Sequence, residues 1–119
     1  MVKLKRVYEP PSRADGRRVL VERLWPRGLT RADADIAEWL RDLAPSDALR
    51  RWYGHDPAKW PEFRRRYRAE LRTPERRRLL EALAEHARRG TVTLVFAARD
   101  EERNSARVVC EELPKMGAA

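Results

Sequence analysis

Cysteine is nearly absent: Cys110 stands alone in 119 residues. A single thiol excludes an internal disulfide framework and a cysteine-rich zinc site. Histidine is almost as scarce, with only His55 and His86, so a dedicated transition-metal cage is not expected. Five glycines form no Walker A or GxGxxG run, so no glycine-rich phosphate cradle exists. There is also no GxSxG elbow and no Cys-plus-Arg phosphate loop. No apolar run approaches the roughly 18 residues of a membrane span. The basic stretch Met1–Arg6 leads into no apolar segment of the kind a signal peptide needs. The expectation is a soluble cytoplasmic protein with no metal, no cofactor and no membrane contact.

What the chain has in abundance is charge. Charged residues make up 39%, with 27 Lys+Arg against 19 Asp+Glu and a net charge of +8. Lysine contributes only Lys3, Lys5, Lys59 and Lys115. The rest is arginine, which suits planar anions and π faces better than lysine does. The length fits one domain, residues 1–119, burying roughly 65% of its unfolded surface around a modest core. Four Trp and three Tyr disfavour a disordered chain.

Periodicity predicts the order β-β-α-α-α-α-β-α. Leu4–Tyr8 reads as a short strand stopped by Pro10-Pro11, and Asp15-Gly16 as a turn. Arg18–Trp25 reads as a second strand, apolar on both faces as in a sheet covered on both sides. Ile36, Trp39, Leu40 and Leu43 fall on one helical face, predicting a helix from Thr30 to about Leu43. Ser46 and Gly54 bracket a short helix through Tyr53. Asp56-Pro57 and Thr73-Pro74 open two more, with Trp60, Phe63, Tyr67 and Leu71 marking one face of the first. Thr91–Phe96, short and β-branched, fits a central buried strand. A last helix runs from Asn104 to Leu113. The fold class expected is α/β: a small Rossmann-like three-layer domain with a short, mainly parallel sheet of about three strands. The periodicity does not fix the direction of the first strand relative to the second.

Between Leu49 and Arg89 stand thirteen positive charges against six negative. The ordinary reading is two solvated amphipathic faces with local Glu–Arg pairing. The functional alternative is a non-enzymatic nucleic-acid surface made by Arg64, Arg65, Arg68, Arg76 and Arg77, although no helix-turn-helix, RNP or zinc-finger signature accompanies it.

In open α/β sheets, ligands sit beyond the carboxyl ends of the strands. That rule points to Arg23–Gly28, after the second strand, and to Ala97–Asn104, after the third. If those strands are parallel neighbours, the two loops face each other. Arg23, Trp25, Arg27, Arg99 and Asn104 would then line a small-anion site, with the arginines as forked donors for phosphate or carboxylate. Each has a plainer alternative. Arg23 could pair with a helix carboxylate such as Asp42, Trp25 could plug the core, and Asn104 could cap the last helix. Asp100 or His55 would be the proton-transfer group if the protein is an enzyme, but Asp100 could instead brace Arg99 or cap a turn. Asp56 has its own helix-capping role. Cys110 lies on an apolar helix face and reads as core rather than nucleophile. The acidic pairs Asp33/Asp35 and Glu101/Glu102 are indistinguishable from ordinary surface acids.

The runs KRVYEPP, DGRRVLVERLWPRGL, EWLRDLAPS, LRRWYGHDP with its following W and FRRRYRAEL, and TLVFAARDEERNSA occur collinearly over about residues 3–113. In these the chain resembles the YeaO-like branch of the domain of unknown function 488 family. The resemblance implies a small Rossmann-like α/β domain and no agreed activity. Carried over by residue, it highlights Arg23, Trp25, Pro26, Arg27 and Gly28, then Ala98, Arg99 and Asn104. Glu22 occupies a position that is often Asp in such proteins. Distant relatives carry a cysteine in the loop where this chain has Ala97-Ala98, which argues against thiol chemistry.

Overall fold

The computed structural model describes residues 1–117. The last two positions of the expected 1–119 domain lie outside the described residues. Four strands form one sheet: β1 (Val2–Arg6), β2 (Arg17–Leu20), β3 (Glu38–Trp39) and β4 (Val92–Phe96). Their spatial order is β1-β4-β2-β3, and every pairing is parallel. The open question of the first strand is thereby answered. β1 and β2 both run parallel to β4, which separates them. β4 is the central strand expected of TVTLVF, buried along its whole length.

The helices are α1 (Arg31–Ala34), α2 (Asp47–Tyr53), α3 (Trp60–Glu70), α4 (Pro74–Arg89) and α5 (Ser105–Glu112). Their caps follow the sequence signals. Ser46 accepts the Leu49 N–H, Asn104 the Arg107 N–H and Asp56 the Ala58 N–H, each satisfying a donor that the helix start leaves open. Gly54 closes α2 in the left-handed conformation.

Alternation along the strands sorts the core into two layers. Val19, Val92, Leu94 and Phe96 face the main core, where Leu49, Phe63, Tyr67, Leu83 and Val109 come from α2–α5. Leu20 and Val95 face the opposite way, onto Val7, Ala34, Trp25, Ile36 and Trp39. That second face is covered by α1 and the irregular chain around it, a thinner layer than the four helices opposite.

The short, mainly parallel sheet expected is present, with four strands among the described residues. Some element bounds differ from those expected. The helix expected over Thr30–Leu43 breaks up into α1, strand β3 and a 3₁₀ turn at Arg41–Leu43. Its apolar stripe does not share one side: Ile36 and Trp39 enter the second layer, while Leu40 and Leu43 join the main core. Asp35 ends α1 at φ 48°, a conformation Asp tolerates. The backbone then pairs with β2, Ala37 N–H to Arg18 and Leu40 N–H to Leu20. The second strand also ends earlier than expected, at Leu20 rather than Trp25. Just beyond, β2 and β4 part, and the Glu22 carboxylate accepts the Ala97 N–H at 2.8 Å.

Arg17–Leu20 is held in place by a buried charge cluster. Arg18, 2% exposed, donates to Asp15 at 2.8 Å and through two nitrogens to the Ala34 carbonyl. Lys5 reaches the same carboxylate at 3.1 Å. With both partners satisfied, the charges avoid the penalty of unpaired burial.

Candidate functional site

The strands leave the sheet in different directions. The chain after β2 turns towards α1 on the thin face, and the chain after β4 turns into α5 on the thick face. Adjacent parallel strands whose connections diverge open a crevice beyond their carboxyl ends. A cleft of about 270 Å³ lies there, lined by residues of the Glu22–Leu24 and Ala97–Ser105 segments together with α2 and its neighbours. The two loops singled out in the sequence thus contribute to one hollow.

Glu22, Tyr53 and Phe63 are among its lining residues. The two aromatic rings stack with centroids 4.2 Å apart, and the Tyr53 hydroxyl donates to the Arg103 carbonyl at 2.8 Å. Burial pushes the Glu22 carboxyl above the ordinary carboxylate range, only partly offset by the Ala97 N–H and the charge of His55. Burial likewise raises the Tyr53 phenol, with Asp100 adding to the effect. Arg23 and Arg50 both line the cleft and meet over one carboxylate, Asp47, at 3.5 and 3.3 Å. Arg23 also approaches Asp42 at 4.0 Å, the pairing anticipated as its plainer role. These are long, solvent-screened contacts, weak enough for a ligand to compete with. His55 lines the cleft with φ 57°, and its neighbour Asp56 is occupied at the Ala58 N–H. Asn104 is 4% exposed. It lines the cleft, donates to the Asp100 carbonyl at 2.9 Å and accepts from Arg107 N–H at 3.0 Å.

Of the residues proposed from sequence, the cleft therefore gathers Arg23, Asn104 and His55. It does not gather Trp25, Arg27, Arg99 or Asp100. Trp25 is embedded in the second layer, where its indole N–H donates to Leu29, its ring meets Trp39 edge-on at 5.4 Å and Arg31 covers it at 4.8 Å. Arg27 is exposed, and its carbonyl accepts the Tyr8 hydroxyl. Arg99 is exposed and makes no hydrogen bond or ion pair among the described residues. Asp100 braces its own loop. It accepts the N–H groups of Glu102 and Arg103 and the Arg103 guanidinium. The Glu102 N–H leads the contacts that hold its pKa below the ordinary value, against a smaller burial effect. A carboxylate so engaged is a poor proton donor. Cys110 is half-buried against the core, and burial raises its thiol pKa, consistent with a structural thiol.

A family model described as "Inactive DUF488-N3 subclade" matches residues 1–118. The chain belongs to the DUF488-N3i family. Among its relatives are uncharacterised proteins of Mycobacterium tuberculosis and Mycobacterium bovis, each 40% identical over 94% of this chain and 92% of the relative. The uncharacterised protein YeaO of Escherichia coli is 36% identical over 94% of this chain and 96% of its own length. No solved structure matches the chain. The family expectation drawn from the sequence motifs is met over nearly the full length.

The arginines of the alternative nucleic-acid face are largely engaged. Arg64 makes a two-pronged contact with Glu111, joined by Arg68, across α3 and α5. Arg65 pairs with Glu62, Arg76 with the Ala44 carbonyl and Glu70, and Arg77 with Glu81. This is the pairing that helical i,i+3 and i,i+4 spacing favours, supplemented by bonds between elements. Among the described residues no group of three or more His, Cys, Asp or Glu gathers as a metal site, and no helix is long and apolar enough to cross a membrane.

Sequence reasoning overlooked Arg50, Tyr53, Phe63 and Ser105 as cleft residues, and gave Glu22 weight only through its family position. Tyr53 and Phe63 carry the spacing of core residues, and they are core residues that also form a wall. One signal was available for Glu22: a carboxylate following directly on the apolar run Val19–Val21 must find a donor or remain costly.

Proposed function

We propose that this chain is a binding protein for a small anionic molecule, received in the cleft beyond the ends of β2 and β4. The convergence of Arg23, Arg50, His55 and Asn104 on one hollow at the divergence of two parallel strands carries this reading. The guanidinium groups supply forked donors for phosphate or carboxylate. Tyr53 and Phe63 supply an apolar wall for the rest of the ligand, the usual division of labour in small-molecule sites.

Two observations favour binding over catalysis. The family description names an inactive subclade. The two residues considered for proton transfer are poorly placed for it: Asp100 is committed to its own loop outside the cleft, and the Asp56 beside His55 is committed to the Ala58 N–H. Thermal unfolding with inorganic phosphate, sulfate, acetate and nucleoside monophosphates tests the proposal. A ligand present at about 100 times its Kd adds about 2.7 kcal/mol of stability. Arg23→Ala should abolish that gain, and Arg99→Ala should preserve it. Failure of every anion to raise Tm would refute the proposal.

A further inference from the structure

The cleft holds opposite charges that the fold keeps apart. Arg23 and Arg50 turn to Asp47, which is not itself among the lining residues. Glu22, in the same cleft, forms no ion pair among the described residues, although it shares the lining with both arginines and with His55. One of its oxygens, Oε1, accepts the Ala97 N–H at 2.8 Å. Oε2 has no protein donor among the described residues, yet it is not sealed among the buried unpartnered atoms.

The fold needs only a neutral acceptor at this position, because a glutamine carbonyl would serve the Ala97 N–H equally well. Glu22 is half-buried in a cleft walled in part by Tyr53 and Phe63, and its free oxygen is open to whatever enters that cleft. Side chains that are expensive to the fold and open to a cavity are where ligand recognition is built.

Resting on the small-anion reading of the cleft, we infer that its ligand is amphoteric, with an anionic group received by Arg23 and Arg50 and an ammonium or other N–H donor received by Glu22 Oε2. The chemical class is that of small amino-phosphates and amino-carboxylates. Simple inorganic anions and purely anionic organic acids would satisfy only the arginine half. A charge-assisted hydrogen bond inside a partly desolvated cleft is among the stronger single contacts available.

Calorimetric titration of the whole chain with matched probes tests this. O-phosphoethanolamine and ethyl phosphate differ only by one amino group, as do glutamate and glutarate. The amino member of at least one pair should bind about tenfold or more tightly, which is about 1.4 kcal/mol. Glu22→Gln, which retains the acceptor for Ala97, should bring the two members of that pair level, with ethyl phosphate or glutarate binding no more weakly than before because a like charge has been removed from the cleft. Equal affinity within both pairs for the wild-type chain would overturn the amphoteric ligand and leave the anion cleft standing. So would a preference that survives Glu22→Gln. If none of the four probes nor inorganic phosphate binds, the anion cleft itself fails, and the inference with it.

Discussion

If the cleft binds as proposed, Glu22 is the residue at which folding and binding pull in opposite directions. Its raised carboxyl pKa, caused chiefly by burial, means that the folded chain holds this proton more tightly than the unfolded chain does. Stability from this group is therefore greatest below the unfolded pKa and declines as pH rises through the window between the unfolded and folded values. Glu22→Gln removes that decline. The variant is expected to melt higher than the parent at neutral pH, with the difference shrinking towards acid. A variant less stable at neutral pH would show that the charge supports the fold. Tyr67 offers a contrasting case, because its buried hydroxyl serves the fold alone. It donates to the Leu43 carbonyl at 2.7 Å, and burial holds its pKa above that of an ordinary phenol. Tyr67→Phe leaves that carbonyl without its donor. The expected loss is about 1–2 kcal/mol in denaturant unfolding, with anion binding unaffected.

Among the elements, the turn before β2 is the least tolerant. Gly16 has φ 61°, and a Cβ there would meet the Thr91 carbonyl oxygen at 2.3 Å. The neighbouring backbone cannot yield easily, since the Arg17 N–H is bonded to that same oxygen at 3.0 Å. Gly16→Ala should cost more than about 1 kcal/mol, read as a lower urea midpoint, because it forces β2 away from the start of β4. This turn was legible in the sequence as Asp15-Gly16, and so were the capped helix starts at Ser46, Asp56 and Asn104, because short-range chemistry decides them. β3 was not legible. Its two residues lie within a stripe that matches helical spacing, and only the sheet edge offered by Arg18 and Leu20 makes the extended conformation preferable. The cleft was half legible. The switch between parallel strands pointed to the two loops, but which side chains of each loop turn inward depends on the parting of β2 and β4. Glu22 and Arg23 reach the cleft, while Trp25 folds back into the second layer and Arg27 and Arg99 stay outside.

For the whole molecule, the net charge of +8 is a weaker guide to partners than its distribution. The arginines at 64, 65, 68, 76 and 77 are each engaged by a carboxylate or carbonyl, so these five side chains are committed within the protein. Binding of double-stranded DNA at physiological salt is expected to be weak and unsaturable in fluorescence anisotropy, and insensitive to Arg64→Ala, Arg65→Ala and Arg68→Ala. Tight, steeply salt-dependent binding lost in those variants would restore the polyanion reading. On the proposed reading, recognition falls instead where the connections of β2 and β4 diverge. Amide chemical-shift mapping with O-phosphoethanolamine tests that claim most directly. The account predicts perturbations grouped at Glu22–Arg23, Ala97–Ala98 and Asn104–Ser105, the segments that line the cleft. Perturbations centred on α3 and α4, or none at saturating ligand, would contradict it.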